Sequence, residues 1–168
     1  MANPLANQLL YEEYRALKSE MLLRIAIQNL TILCSVALFI PAALLIVIHS
    51  KHAGALALAY ALANLALALQ WCHQGVRQCA MKQAILTRDE DAGRRDSWEV
   101  WLPTQRPANL LGSRWFVSTK LVFMGLCAAC LVLALNDFGL ALVCAGAVFA
   151  TTIAALLTNP KEGVPPGE

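Results

Sequence analysis

Four long runs without a charged residue constrain this chain more than any other feature. Leu30–Ile48 is 19 residues, Ala53–Leu69 is 17, Leu121–Leu135 is 15 and Phe138–Leu157 is 20. A helix crosses a bilayer core with about 20 apolar residues, and somewhat fewer suffice with tilt or flanking anchors. The third run is the shortest and is extended by Trp115–Val117. Four spans are therefore predicted. The composition agrees: 58% hydrophobic and 14% charged, against soluble averages of about 45–50% and 25%.

Within the second run, "GALALAYALANLALALQW" (Gly54–Trp71) alternates Ala and Leu. A membrane barrel strand alternates in polarity, lipid side against wet lumen. Here both alternating residues are apolar, both are strong helix formers, and an isolated strand in lipid leaves its backbone groups unpaired. Helix follows. At about 100° per residue, Ala57, Ala61, Asn64 and Ala68 fall on one stripe, and Leu58, Leu62, Leu65 and Leu69 on the next. Close approach along small residues draws helices together in lipid, with polar side chains adding contacts. The Ala/Asn edge is the expected helix-packing seam.

Charge sets the orientation. Twelve of the thirteen Lys and Arg residues lie at the N-terminus, between runs two and three, at the start of run three or after run four; only Lys51 lies on the other side. The positive-inside rule then puts both termini and the central segment in the cytoplasm. Trp71 and Trp115 sit at the cytoplasmic edges, as interfacial aromatics do. The opposite side holds only "HSKHAG" and "NDFG", too short for a receptor or catalytic domain. A cleaved signal peptide is not expected, because the first apolar run exceeds the usual 7–15 residue core.

The expected architecture is an all-α membrane protein, a four-transmembrane-helix bundle of two hairpins with amphipathic cytoplasmic helical extensions. Residues 1–24 form the first extension, 25–71 the first hairpin, 72–114 a cytoplasmic helical loop, 115–158 the second hairpin and 159–168 a disordered tail. Leu10, Tyr14, Leu17 and Met21 recur at helical spacing against Glu13, Lys18 and Glu20, so the extension runs into span one as an amphipathic helix. Arg24 is expected to snorkel to the headgroups. Pro41 marks a kink, since proline removes one helical hydrogen bond. Beyond span two, Cys72, Val76, Cys79 and Leu86 continue an apolar stripe that ends near "TRDEDAGRRD".

The central segment then reads "DSWEVWLP". Asp96 or Ser97 caps a short helix, Trp98, Trp101 and Leu102 share a face, and Pro103 ends it. With Arg94, Arg95 and Glu99 beside them, these residues form a cytoplasmic interface that lies on the headgroups or closes the end of the bundle.

Little supports catalysis. There is no Gly-rich phosphate loop, no H-E-x-x-H and no G-x-S-x-G, the patterns that carry phosphate, zinc and serine chemistry. Cys127 and Cys130 form a C-x-x-C in mid-span, whereas redox dithiols open a helix in an exposed, electropositive place. Cys72, His73 and Cys79 have poor zinc spacing. No Asp, Glu, Lys or Arg lies near the centre of a span, where proton-coupled carriers place them. No catalytic, cofactor-binding or metal-ligating residue is expected, and the basic excess is a membrane-side excess with no nucleic-acid partner.

"YEEYRALKSEMLLRI" leading into a first span, with a second hairpin after "SWEVWL", resembles small uncharacterised four-span bacterial inner-membrane proteins, some of which resemble membrane effectors found beside antiphage defence genes. The resemblance implies a bacterial inner-membrane location and an effector or sensor role. The expected function is a non-enzymatic bundle that contacts the lipid bilayer, self-associates as a homo-oligomer and gates or perturbs the membrane. The alternative is an anchor or scaffold that recruits a soluble cytoplasmic partner through the N-terminal helix and central loop.

Overall fold

The computed structural model describes residues 4–91 and 119–158. Every element among them is helical: α1 spans Pro4–Ile48, α2 Ala53–Asp91, α3 Thr119–Leu133 and α4 Leu140–Thr158. A 3₁₀ turn, Ser50–His52, joins α1 to α2. The amphipathic N-terminal stretch and the first apolar run are one unbroken 45-residue helix that passes through Pro41. α2 is described as far as Asp91, inside the charge cluster.

Helix lengths divide the molecule into two parts. At 1.5 Å per residue, α1 and α2 measure about 68 and 58 Å, α3 and α4 about 22 and 28 Å. α1, α2 and α4 are each long and apolar enough to cross a membrane, while α3, with 15 residues, is a shorter apolar helix. Thr119 opens α3 near the level of Trp71, because the Phe123 ring sits 6.2 Å from the Trp71 ring. Among the described residues, α1 and α2 therefore extend past the described ends of α3 and α4 as a stalk.

α2 is the central helix. It packs against α1, α3 and α4, and among the described residues α1 and α4 do not meet. This position explains its composition, because a helix with neighbours on three sides needs small side chains if backbones are to come close. Ala57, Ala61 and Ala68 are fully enclosed, whereas Leu62 and Leu69 remain 51% and 50% exposed. Two apolar clusters result. One gathers Ile46, Ala57, Tyr60, Cys127, Leu142 and Ala145; the other is built from Ala68, Trp71, Phe123 and Leu156.

Turn chemistry closes the bundle away from the stalk. The α1/α2 reversal is held by the amides of His49 and His52, which donate to the carbonyls of Leu45 at 2.8 Å and His49 at 2.9 Å. In the α3/α4 connection, Asp137 accepts a 3.0 Å hydrogen bond from the backbone amide of Gly54. That amide lies in the first turn of α2, where helix donors lack intrahelical partners and a carboxylate is favoured. Gly54 has to be small for this: a Cβ there would stand 3.2 Å from the Asp137 carbonyl oxygen and 3.4 Å from the Leu142 amide. At the stalk side, Lys120 donates to the Leu156 carbonyl at 2.8 Å, placing a cation at the C-terminal end of α4 where the helix dipole favours it.

Candidate functional site

Polar side chains concentrate along one contact, between α1 and α2. Five of the six buried polar residues among those described lie there: Gln28, Thr31 and Ser35 on α1, Asn64 and Gln74 on α2; the sixth, Thr152, is on α4. On α1, Arg24, Gln28, Thr31 and Ser35 recur every three or four residues, so they share a face. On α2, Asn64, Gln74 and Gln78 meet that face: Ser35 pairs with Asn64, while Arg24 and Gln28 cross to reach Gln74 and Gln78 respectively.

The inner layer centres on Asn64. The Ser35 hydroxyl donates to Asn64 Oδ1 at 2.7 Å, and Asn64 Nδ2 donates to the Phe123 carbonyl at 3.0 Å. One fully enclosed side chain thereby ties α2 to both α1 and α3. The amide orientation follows from its partners, since the flipped form would aim Oδ1 at another acceptor. Tyr60 adds a longer bond, its hydroxyl donating to the Ser35 carbonyl at 3.4 Å, and its ring meets Phe39 edge to face at 6.0 Å. Thr31 is satisfied within its own helix, donating to the Ile27 carbonyl at 2.8 Å.

The outer layer lies where the stalk begins. Gln28 Nε2 donates to the Trp71 carbonyl at 3.2 Å, and Gln28 Oε1 accepts from Gln78 Nε2 at 2.9 Å. Arg24 Nη1 donates to Gln74 Oε1 at 2.9 Å, and its Nε donates to Glu20 Oε1 at 3.1 Å. The ion pair between Glu20 and Arg24 leaves the arginine side chain only 18% exposed. Arg24 thus turns into the α1/α2 contact, where snorkelling to headgroups is expected from sequence. A guanidinium with a carboxylate and an amide oxygen in reach gains more by binding both than by extending alone into solvent.

Along the lower part of α2, Cys72 is half-buried against the Trp71 and Phe123 cluster and Val76 is 46% exposed, whereas Gln74 and Ile85 are buried. The inward face carries glutamines because α1 offers them partners, which removes the penalty for enclosing an amide.

The small-residue seam lies wholly inside the chain. Ala57, Ala61, Asn64 and Ala68 are all fully enclosed, Ala57 and Ala61 in one apolar cluster and Ala68 in the other, with Asn64 between them. Their faces are filled by α1, α3 and α4 of the same chain and are not open to a second copy. Arg94, Arg95, Trp98, Glu99, Trp101 and Leu102 lie outside the described residues, as do Trp115–Val117 and the tail 159–168. Gln28, Ser35, Gln74 and Gln78 escape an inspection of apolar runs alone. The signal that reveals them is the three-or-four spacing of polar residues from Arg24 to Ser35.

The groups along the polar α1/α2 contact are amides, hydroxyls and one ion pair, each engaged with another protein group. Cys127 and Cys130 are buried free thiols on α3, and among the described residues no three His, Cys, Asp or Glu side chains come together.

Asn64→Leu is expected to lower bundle stability by about 1 kcal/mol, and by no more than about 2, because interhelical hydrogen bonds in membrane bundles average about 0.6 kcal/mol each. Thermal unfolding in mild detergent, followed by circular dichroism, measures this. A loss well above that range would mean that Asn64 has a role beyond its two bonds. No protein-family model, curated protein or solved structure matches this chain.

Proposed function

We propose that this chain is a non-enzymatic, multi-pass protein of the bacterial inner membrane, with both termini cytoplasmic, that self-associates and gates or perturbs the membrane when a signal reaches its cytoplasmic stalk. Large apolar side chains are exposed along α1 from Leu22 to Ile48, a surface far larger than soluble proteins leave bare and one that lipid would cover. The positive-inside asymmetry sets the orientation. Four spans require α3 to cross with its N-terminal flank, Trp115–Val117 included.

The observation that carries the gating role is the continuity of α1 and α2. Each runs from stalk to bundle without a break, so a displacement at the stalk reaches the bundle through rigid elements. The contact between them is hydrogen-bonded from Arg24 to Ser35, with Ile32 packed against the Trp71 and Phe123 cluster among those bonds, and apolar beyond Ser35 and Asn64. Hydrogen bonds of this kind exchange for water at small cost, whereas the apolar half has no such substitute. Self-association, on this reading, uses an outward face of the bundle, because the small-residue seam is enclosed.

The test is release of a small dye from sealed liposomes of bacterial lipid by the purified protein alone. Protein-dependent release that saturates with protein-to-lipid ratio is the expected result; tight liposomes across that range would sink the gating role. Tight liposomes favour the second reading, an anchor or scaffold for a soluble partner. The observation behind that reading is the stalk itself: from Trp71 to Asp91, α2 provides about 30 Å of helix beyond the apolar clusters, ample for a docking platform.

A further inference from the structure

We infer that the cytoplasmic half of α1 is a hinged arm that pivots at Pro41 and detaches from α2 along the polar seam. The inference rests on the gating role proposed above and names its moving part. Three independent features of α1 converge on it. First, Pro41 lies inside the helix and carries no N–H, so the Ala37 carbonyl lacks its usual donor four residues on and the helix is easiest to bend there. Both Pro41 and Ala37 are exposed, which leaves room around the pivot.

Second, the nature of the α1/α2 contact changes beside that point. On the C-terminal side, Ile46 is buried in an apolar cluster with Ala42 packed against it. On the N-terminal side, Ser35, Gln28 and Arg24 hold α2 by hydrogen bonds of 2.7 to 3.2 Å, beside the half-buried Ile32 and Phe39, which pack against the two apolar clusters. One side is fixed by packing alone, and the other largely by bonds that water can replace. Third, α1 is an edge helix that touches α2 and α3 and leaves α4 untouched, so the arm swings without displacing α4 once its contacts with α2 and α3 part.

When the arm opens, Gln74 and Gln78 of α2 and Gln28 of α1 turn from each other to water, so a polar surface enters the cytoplasmic half of the bundle. Asn64 keeps its bond to the Phe123 carbonyl, so α2 and α3 stay joined while Ser35 leaves. The opening is a half-opening: the cluster around Ile46, Ala57 and Tyr60 remains shut until another event displaces it.

The test is a distance measurement in the full chain, reconstituted in lipid nanodiscs. Spin labels are introduced at Leu23 and Arg77 through non-natural amino acids, so the six native cysteines stay in place; both positions are exposed on the arm and on α2. The expected result is two distance populations, with Pro41→Ala reducing the longer one by half or more. A second variant, Gln28→Leu together with Gln78→Leu, replaces exchangeable bonds by apolar contact and is expected to deplete the longer population too. A single distance in the parent protein, or a longer population that Pro41→Ala leaves unchanged, overturns the hinge. Neither outcome depends on dye release. Leakage with a single distance would retain gating and sink the hinge, and two distances without leakage would retain the hinge and sink gating.

Discussion

Ala61→Leu is expected to cost the bundle about 3 kcal/mol, the upper end of the range for forcing extra carbons into a filled core. Ala61 is fully enclosed on a helix that touches all three others. Its neighbours are Ala57, Tyr60 and residues of α3 and α4 in one cluster, so a longer side chain meets packed helix in each direction and can be admitted only by moving a whole element. The expected readout is a lower thermal midpoint in mild detergent and faster proteolysis at the helix connections. Leu62→Ala, one residue along, is the control. Leu62 is 51% exposed, and shortening it is expected to shift the midpoint by less than about 0.5 kcal/mol equivalent, as surface changes do. Should Leu62→Ala prove the more damaging, the Leu edge would be the working interface and the small seam a loosely filled part of the bundle.

Phe123→Ala is expected to be at least as destructive, for the opposite reason. Phe123 is the largest fully enclosed side chain among the described residues, and its ring lies against Trp71 at 6.2 Å. Truncating a buried aromatic in a soluble core costs about 3–5 kcal/mol. In lipid the transfer part of that figure is smaller, because the alternative environment is itself apolar, but the lost packing contacts remain. The carbonyl of the same residue accepts from Asn64, so a local shift of α3 also loosens the link among three helices. Non-additivity checks this coupling: in a double mutant with Asn64→Leu, the combined loss is expected to fall short of the two single losses added. Strict additivity would mean that ring and carbonyl act independently.

Several features of this chain were legible before any tertiary contact was known. Runs of apolar residues near the length of a bilayer crossing dictate helices, since lipid leaves a spanning backbone no other local way to satisfy its amides. The Ala/Leu alternation at Gly54–Trp71, placed on a helical period, separates a small edge, which is enclosed, from a bulky one, on which Leu62 and Leu69 are exposed and Leu58 and Leu65 half-buried.

Periodicity says which face of a helix is small or polar, but not which helix fills that face. Only the tertiary structure decided that α2 is central, that its small edge is covered within the chain, and that α1 and α4 stay apart. Arg24 shows the limit for a single residue: its sequence position suits a headgroup, yet Gln74, fifty residues away, and Glu20, one turn back, hold it at 2.9 and 3.1 Å. The inward glutamines of α2 escaped for the same reason. Whether an enclosed amide is a penalty or a tie depends wholly on the partner opposite it, and for Gln78 that partner, Gln28, lies fifty residues away on another helix.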